Sequence, residues 1–158
     1  MAMIIDALAT WFYLGRLKPG PGTWGTLGAI PLVLLLQSLG PMGYLAGVLV
    51  LTIFAILIAS FYERAHQGHD HAEVVIDEVA GFAITMTWLP MTWQAWVAGF
   101  FLFRMIDVFK PPPIGWLDQK IPGGLGVVAD DIGAGILANM VLQIVFVQTG
   151  WLGYQFAS

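Results

Sequence analysis

The 158-residue chain contains no cysteine, and only 10% of it is charged. Without cysteine there is no disulfide framework, no thiolate-ligated zinc or iron–sulfur centre, and no thiolate nucleophile for a phosphatase or protease. The shortage of charge is as restrictive. Six Lys and Arg and ten Asp and Glu are set against 58% hydrophobic residues, and mean hydropathy is +0.80. An ordinary soluble domain has about 25% charged residues, so this chain has too little polar surface to coat a soluble globule and reads as an integral membrane protein. A net charge of −4 excludes a nucleic-acid partner, because no density of Lys and Arg is available to neutralise a phosphate polymer. The apolar residues come in unbroken runs such as Leu45 to Phe61, not in the alternation of a barrel strand. The expected fold is therefore all-α, a single polytopic helical bundle over residues 1–158. Met1 to Thr10 lacks a basic leader region and carries Asp6, so it is expected to remain as a short amphipathic segment.

All the charges lie in three stretches: Asp6 to Lys18, Glu63 to Glu78, and Arg104 to Asp131. The uncharged residues between and after them predict about five membrane-inserted segments. Thr26 to Leu39 and Tyr44 to Phe61 form a hairpin about Leu39-Gly40-Pro41-Met42-Gly43. A second hairpin runs from Val79 to Phe109 and breaks at Trp88 to Trp93, where Pro90 removes a helix donor among interfacial tryptophans. The last segment is Ile132 to Val147. This parity puts every charge on one face, which the positive-inside rule assigns to the cytoplasm, with the N-terminus inside and the C-terminus outside. Some arms are short for a span of about 20 residues, so one hairpin is either spanning or re-entrant.

The carboxylates concentrate at helix ends. Asp77-Glu78 and Asp130-Asp131 each open an apolar run, and Asp107 sits inside Phe101 to Phe109. A single acid at a helix start is an ordinary cap. A doublet is not, because a second uncompensated acid beside the bilayer is costly. Asp107 is either an i,i+3 partner of Arg104 or a group facing the bundle interior. Oxygen-only ligands from several helices suit Mg²⁺, a hard ion that bridges to phosphate. Gly15 to Thr26 combines Arg16, Lys18, glycines, Thr23 and Thr26 ahead of a helix start: an anion cradle, or a basic anchor at the membrane surface. Lys110 carries the same two readings. His66, His69 and His71 share one loop whose spacing fixes no tetrahedral metal site.

Four blocks, in order, resemble the phosphatidylglycerophosphatase A family: Lys18 to Leu27 (KPGPGTWGTL), Val75 to Gly81 (VIDEVAG), Phe103 to Pro111 (FRMIDVFKP) and Gly123 to Asp131 (GGLGVVADD). The resemblance covers nearly the whole chain. It implies a multi-pass enzyme of the bacterial inner membrane that uses magnesium to remove the terminal phosphate of phosphatidylglycerophosphate on the cytoplasmic face. It further implies that Asp77, Glu78, Asp107, Asp130 and Asp131 are metal ligands and that Asp77, Glu78, Asp107 and Asp131 are catalytic. Lys18, Thr23, Arg104 and Lys110 are left to bind substrate phosphate. Ala129 departs from the larger residue expected before the acidic pair. Independently, the sequence lacks the Asp-x-Asp, Cys-x₅-Arg and Arg-His-Gly signatures of other phosphatases, which leaves a metal-activated water, with an aspartyl-phosphate as the covalent variant. A CDP-alcohol phosphotransferase is disfavoured because its Asp-Gly-x-x-Ala-Arg run is missing. A transporter or cation channel with an acidic cluster is the non-enzymatic alternative, and no acid at mid-membrane supports it.

Overall fold

The computed structural model describes residues 2–66, 71–116, 121 and 123–153. Among them are six α-helices and no strand: α1 (Ala2–Ala9), α2 (Pro21–Gln37), α3 (Gly40–His66), α4 (Ile76–Thr85), α5 (Trp93–Phe109) and α6 (Gly124–Gln148). Short 3₁₀ turns cover Leu14–Arg16 and Ile114–Trp116. The local sequence accounts for the boundaries. Gly20, at φ 73°, turns the chain into α2 with Pro21 at its first position, where a missing N–H costs nothing. Thr92 caps α5 by accepting from the Ala95 N–H at 3.2 Å. Lys110 closes α5 in the left-handed region, and Pro111 to Pro113 prevent the helix from resuming.

Helices stand at all five expected places, with the second hairpin broken between Thr85 and Trp93 as the proline and tryptophans require. Their lengths correct the expectation of about five spans. Among the described residues, only α3 and α6, with 27 and 25 residues, are long and apolar enough to cross a membrane. At 1.5 Å per residue, α2 and α5 reach about 25 Å and α4 about 15 Å, short of a hydrocarbon core of about 30 Å. A second correction concerns Asp130 and Asp131. Helix α6 begins at Gly124, so the acid pair lies in its second turn and does not cap it; the run Gly124 to Ala129 is itself helical.

Contacts between helices fix two ends of the bundle. Gly124, starting α6, lies against Ile56 and Ser60 near the end of α3. Gly135 lies against the Gly81 carbonyl, while a Cβ on Gly81 would stand 2.8 Å from the Asp131 carbonyl and 2.7 Å from the Phe103 ring. Glycine thus brings α4 and α6 into backbone contact and α5 close beside them, the use small residues have between membrane helices. At the far end Tyr44 donates to the Ala83 carbonyl at 2.7 Å, and Asn139 donates to the Thr85 and Thr87 carbonyls at 2.9 and 2.8 Å. Hence α2, α4 and α6 start, and α3 and α5 finish, at one end, and that end holds the charges. Elsewhere the outer surface is apolar, with Val50, Ile53, Phe101, Val108 and Ile144 each exposed. A continuous surface of this kind marks a lipid or protein contact and not a solvated face.

Candidate active site

Three helices deliver the site's carboxylates and a fourth closes it. Asp77 and Glu78 occupy the first turn of α4, whose start is held to the N-terminal helix by the Val75 N–H donating to the Ala9 carbonyl at 2.9 Å. The Glu78 N–H donates to Asp77 Oδ1 at 3.0 Å, and the Asp131 N–H donates to Asp130 Oδ1 at 3.1 Å. One carboxylate oxygen from each of Asp77, Glu78 and Asp131 can be chosen so that all lie within 4.8 Å of one another. From α5, Arg104 Nη1 donates to Asp107 Oδ2 at 2.5 Å and stands 3.5 Å from Glu78 Oε1. Lys110 donates to Asp130 Oδ2. Gly22, in the first turn of α2, forms a wall: a Cβ there would overlap Glu78 Oε1 and approach Arg104 Nη1 to 2.7 Å.

The charge balance identifies what this arrangement accepts. Asp77, Asp107, Asp130 and Asp131 are each less than 9% exposed, and among the described residues Arg104 and Lys110 pair with the acid cluster. Buried carboxylates so close together are strongly unfavourable as anions unless protons or a cation join them. Glu78 Oε2 and Asp131 Oδ1 are buried without a hydrogen-bond partner among the described residues, as is the donor Arg104 Nε. Two free acceptors and a free donor in one buried group suit a hard cation beside an anion. The residues therefore fit a divalent metal, with Asp77, Glu78 and Asp131 as the set able to hold it.

The remaining expected residues fall around this centre. Asp107 and Asp130 each have a basic partner, so the i,i+3 pairing of Arg104 with Asp107 is present. Thr23 is half-buried beside Gly22, and Lys18 is exposed ahead of α2. Arg16 does not serve the cradle: it reaches Asp6 at 2.7 Å and Glu73 at 3.3 Å. Tyr62 donates to Glu73, His66 stacks on Tyr62 with ring centroids 4.1 Å apart, and His71 meets the Tyr62 ring edge-on at 5.5 Å. His66 and His71 thus belong to a network separate from the acid group, and His69 lies outside the described residues. Sequence reasoning missed this network, since no spacing rule joins residues 6, 16, 62 and 73. It also missed Gly22 as a site wall, although the Gly20-Pro21-Gly22 turn was a signal that backbone must approach something closely. In that network, the Tyr62 hydroxyl bond and then the Arg16 charge hold the Glu73 carboxyl below its ordinary range.

An apolar-surfaced helical bundle with a buried carboxylate set, an arginine and a lysine gathered at one end defines a membrane-associated enzyme suited to an anionic substrate and a divalent metal. Residues 7–146 match the family model for phosphatidylglycerophosphatase A. The chain belongs to the phosphatidylglycerophosphatase A family. It is 38% identical over 144 residues to the phosphatidylglycerophosphatase A of Haemophilus influenzae, covering 87% of this chain and 86% of that one. It is 36% identical over 139 residues to the phosphatidylglycerophosphatase A of Escherichia coli, covering 87% and 81%. A putative phosphatidylinositol-3-phosphatase of Bacteroides thetaiotaomicron is 32% identical over 144 residues, covering 87% and 90%. No solved structure matches significantly.

Proposed function

We propose that this protein is a magnesium-dependent phosphatase that hydrolyses the terminal phosphomonoester of phosphatidylglycerophosphate, giving phosphatidylglycerol and phosphate for phospholipid biosynthesis. The observation that carries the reading is the Asp77, Glu78 and Asp131 group with its unpartnered oxygens beside Arg104. Family membership and the names of two relatives supply the substrate.

Asp77, Glu78 and Asp131 hold the ion, which when bound supplies charge that polarises the phosphoryl oxygens and acidifies a water. Arg104 turns its free Nε toward the phosphoryl oxygens, while Asp107 fixes the plane of its guanidinium. A carboxylate oxygen of the Asp77, Glu78 and Asp131 group that the ion leaves free accepts the proton of the attacking water. As the water oxygen bonds to phosphorus, the bond to the glycerol oxygen breaks and that alkoxide takes up the proton the carboxylate received. Lys110 beside Asp130, with Lys18 and Thr23 at the start of α2, adds positive charge and a hydroxyl for the outgoing phosphate.

The site's position supports a lipid substrate. The charged end of the bundle stands where a headgroup phosphate emerges, with the apolar flanks of α3 and α6 alongside for the chains. We place this end on the cytoplasmic face of a bacterial inner membrane, with all five helices α2 to α6 inserted and the shorter ones re-entrant or crossing a locally thinned bilayer. The test is phosphate release by purified protein in detergent with Mg²⁺, comparing phosphatidylglycerophosphate with phosphatidylinositol 3-phosphate. Release from the first is expected; release from the second alone would transfer the reading to the activity named for the Bacteroides relative.

A further inference from the structure

A groove of about 360 Å³ opens on the flank of the bundle between α3, α4 and α6. Thr52 and Ile132 line it toward the charged end, and Leu45 and Met140 toward the far end. We propose that this groove binds one acyl chain of the phosphorylated lipid substrate, an inference that rests on the function proposed above.

Three observations select that occupant. The first is its level relative to the acid site. Ile132 follows Asp131 directly in α6, and α3 runs antiparallel to α6, so the Thr52–Ile132 end lies at the level of the carboxylates and the rest leads away from them. From Ile132 to Met140 the helix rises about 12 Å, along the direction in which a lipid's chains leave its headgroup. The second is chemistry. The Thr52 hydroxyl donates to the Val48 carbonyl at 2.8 Å, and the Asn139 amide is spent on the Thr85 and Thr87 carbonyls. With its polar side chains turned to backbone, the groove has apolar walls that favour hydrocarbon over water or a headgroup. The third is access and size. Leu49, Ile136 and Met140 are 58%, 49% and 57% exposed, so a chain enters sideways from the bilayer. A volume of about 360 Å³ gives room for a stretch of hydrocarbon chain.

The experiment fills the groove and asks whether the loss depends on chain length. Ile136→Trp blocks its middle, and Val97→Trp on the exposed face of α5 is the lipid-facing control. Each variant and the parent protein are assayed in detergent with dioleoyl and dibutyryl phosphatidylglycerophosphate. Ile136→Trp should raise KM for the dioleoyl substrate about tenfold or more and leave dibutyryl turnover within about twofold, a range in which Val97→Trp keeps both substrates. Retained dibutyryl turnover also establishes that the variant is folded. Equal effects on both substrates, or none on either, would overturn the groove assignment, leaving it to bulk lipid, and would leave the phosphatase reading standing. A shift of Ile136→Trp to a lower oligomeric state would give the groove to a second copy of the chain and overturn the assignment too. No turnover of either substrate by the parent protein would overturn the proposed function and the groove assignment with it.

Discussion

Replacing Gly22 by alanine adds one methyl group where the start of α2 meets the site, and two effects of opposite sign follow. Gly22 lies inside a helix at ordinary dihedrals, where alanine is favoured over glycine by about 1 kcal/mol; by helix propensity alone the variant would be more stable. The added Cβ, however, would overlap Glu78 Oε1 and stand 2.7 and 2.8 Å from the two terminal nitrogens of Arg104. Ordinary contact begins at 3.4 Å, so Arg104 Nη1 must retreat by about 0.7 Å and Glu78 by more. A misplacement of about 1 Å in catalytic geometry costs about 10²-fold, or about 2.7 kcal/mol of transition-state stabilisation. The assay is phosphate release from phosphatidylglycerophosphate in detergent, with thermal melting of the same preparations. Gly47→Ala is the comparison, because its Cβ meets only the side-chain atoms of Leu36, chiefly a flexible methyl at the chain's end, far from the acids. Gly22→Ala should lose about 10²-fold in kcat/KM with a melting temperature near that of the parent, and Gly47→Ala should lose little. Near-normal turnover in Gly22→Ala would refute the claim that Arg104 and Glu78 must stay where α2 holds them.

Asp107→Asn removes the charge that orients Arg104 at 2.5 Å; kcat/KM should fall about 10²–10⁴-fold, and near-normal release would reduce Asp107 to a structural partner. The Tyr62, Glu73 and Arg16 network should make stability fall on the acid side. Because the Glu73 carboxyl is held low in the folded state, its contribution is present above the ordinary glutamate value of about 4.3 and is lost as pH drops through the folded value. Melting curves of the parent and Glu73→Gln should therefore converge as pH is lowered from 7 to 3, and a constant difference would remove Glu73 from the pH response. Because the chain has no cysteine, topology can be read from single cysteines. Arg64→Cys, at the charged end, should resist a membrane-impermeant thiol reagent in intact cells, while Trp151→Cys at the far end should react; the reverse pattern would invert the orientation.

The order of the helices was legible because charge and apolar runs exclude one another along this chain. Pro90 to Thr92 marks a real boundary, and the acids at 77, 78 and 131 do come together; the turn expected over Leu39 to Gly43 shrinks to Ser38-Leu39 because Gly40 to Gly43 are already helical, and α2 starts at Pro21 and not at Thr26, since proline is accepted at a helix's first position. Span length was less legible. The break at Trp88 to Trp93 was read correctly, but Met86 and Thr87, expected in the arm before it, belong to the turn, so uncharged stretches overstate helix length, and α4 ends after ten residues. The start of α6 was misplaced because Gly123 to Gly126 look like a loop in sequence, whereas glycine is used there to bring the helix against α3. The partners of Arg16 were hidden for a different reason. Its contacts with Asp6 and Glu73 arise only when the N-terminal helix packs beside the segment leading into α4, and no local pattern encodes that approach.

The central claim is that the Asp77, Glu78 and Asp131 group is a divalent-metal centre for phosphate-ester hydrolysis. The most direct measurement is phosphate release from phosphatidylglycerophosphate by exhaustively chelated protein during Mg²⁺ titration, run in parallel for the parent and Asp131→Asn. The account predicts no turnover before Mg²⁺ is added, saturable recovery in the parent, and Asp131→Asn recovering little or only at far higher Mg²⁺. Full activity in the chelated parent, or identical titrations for the two proteins, would contradict it.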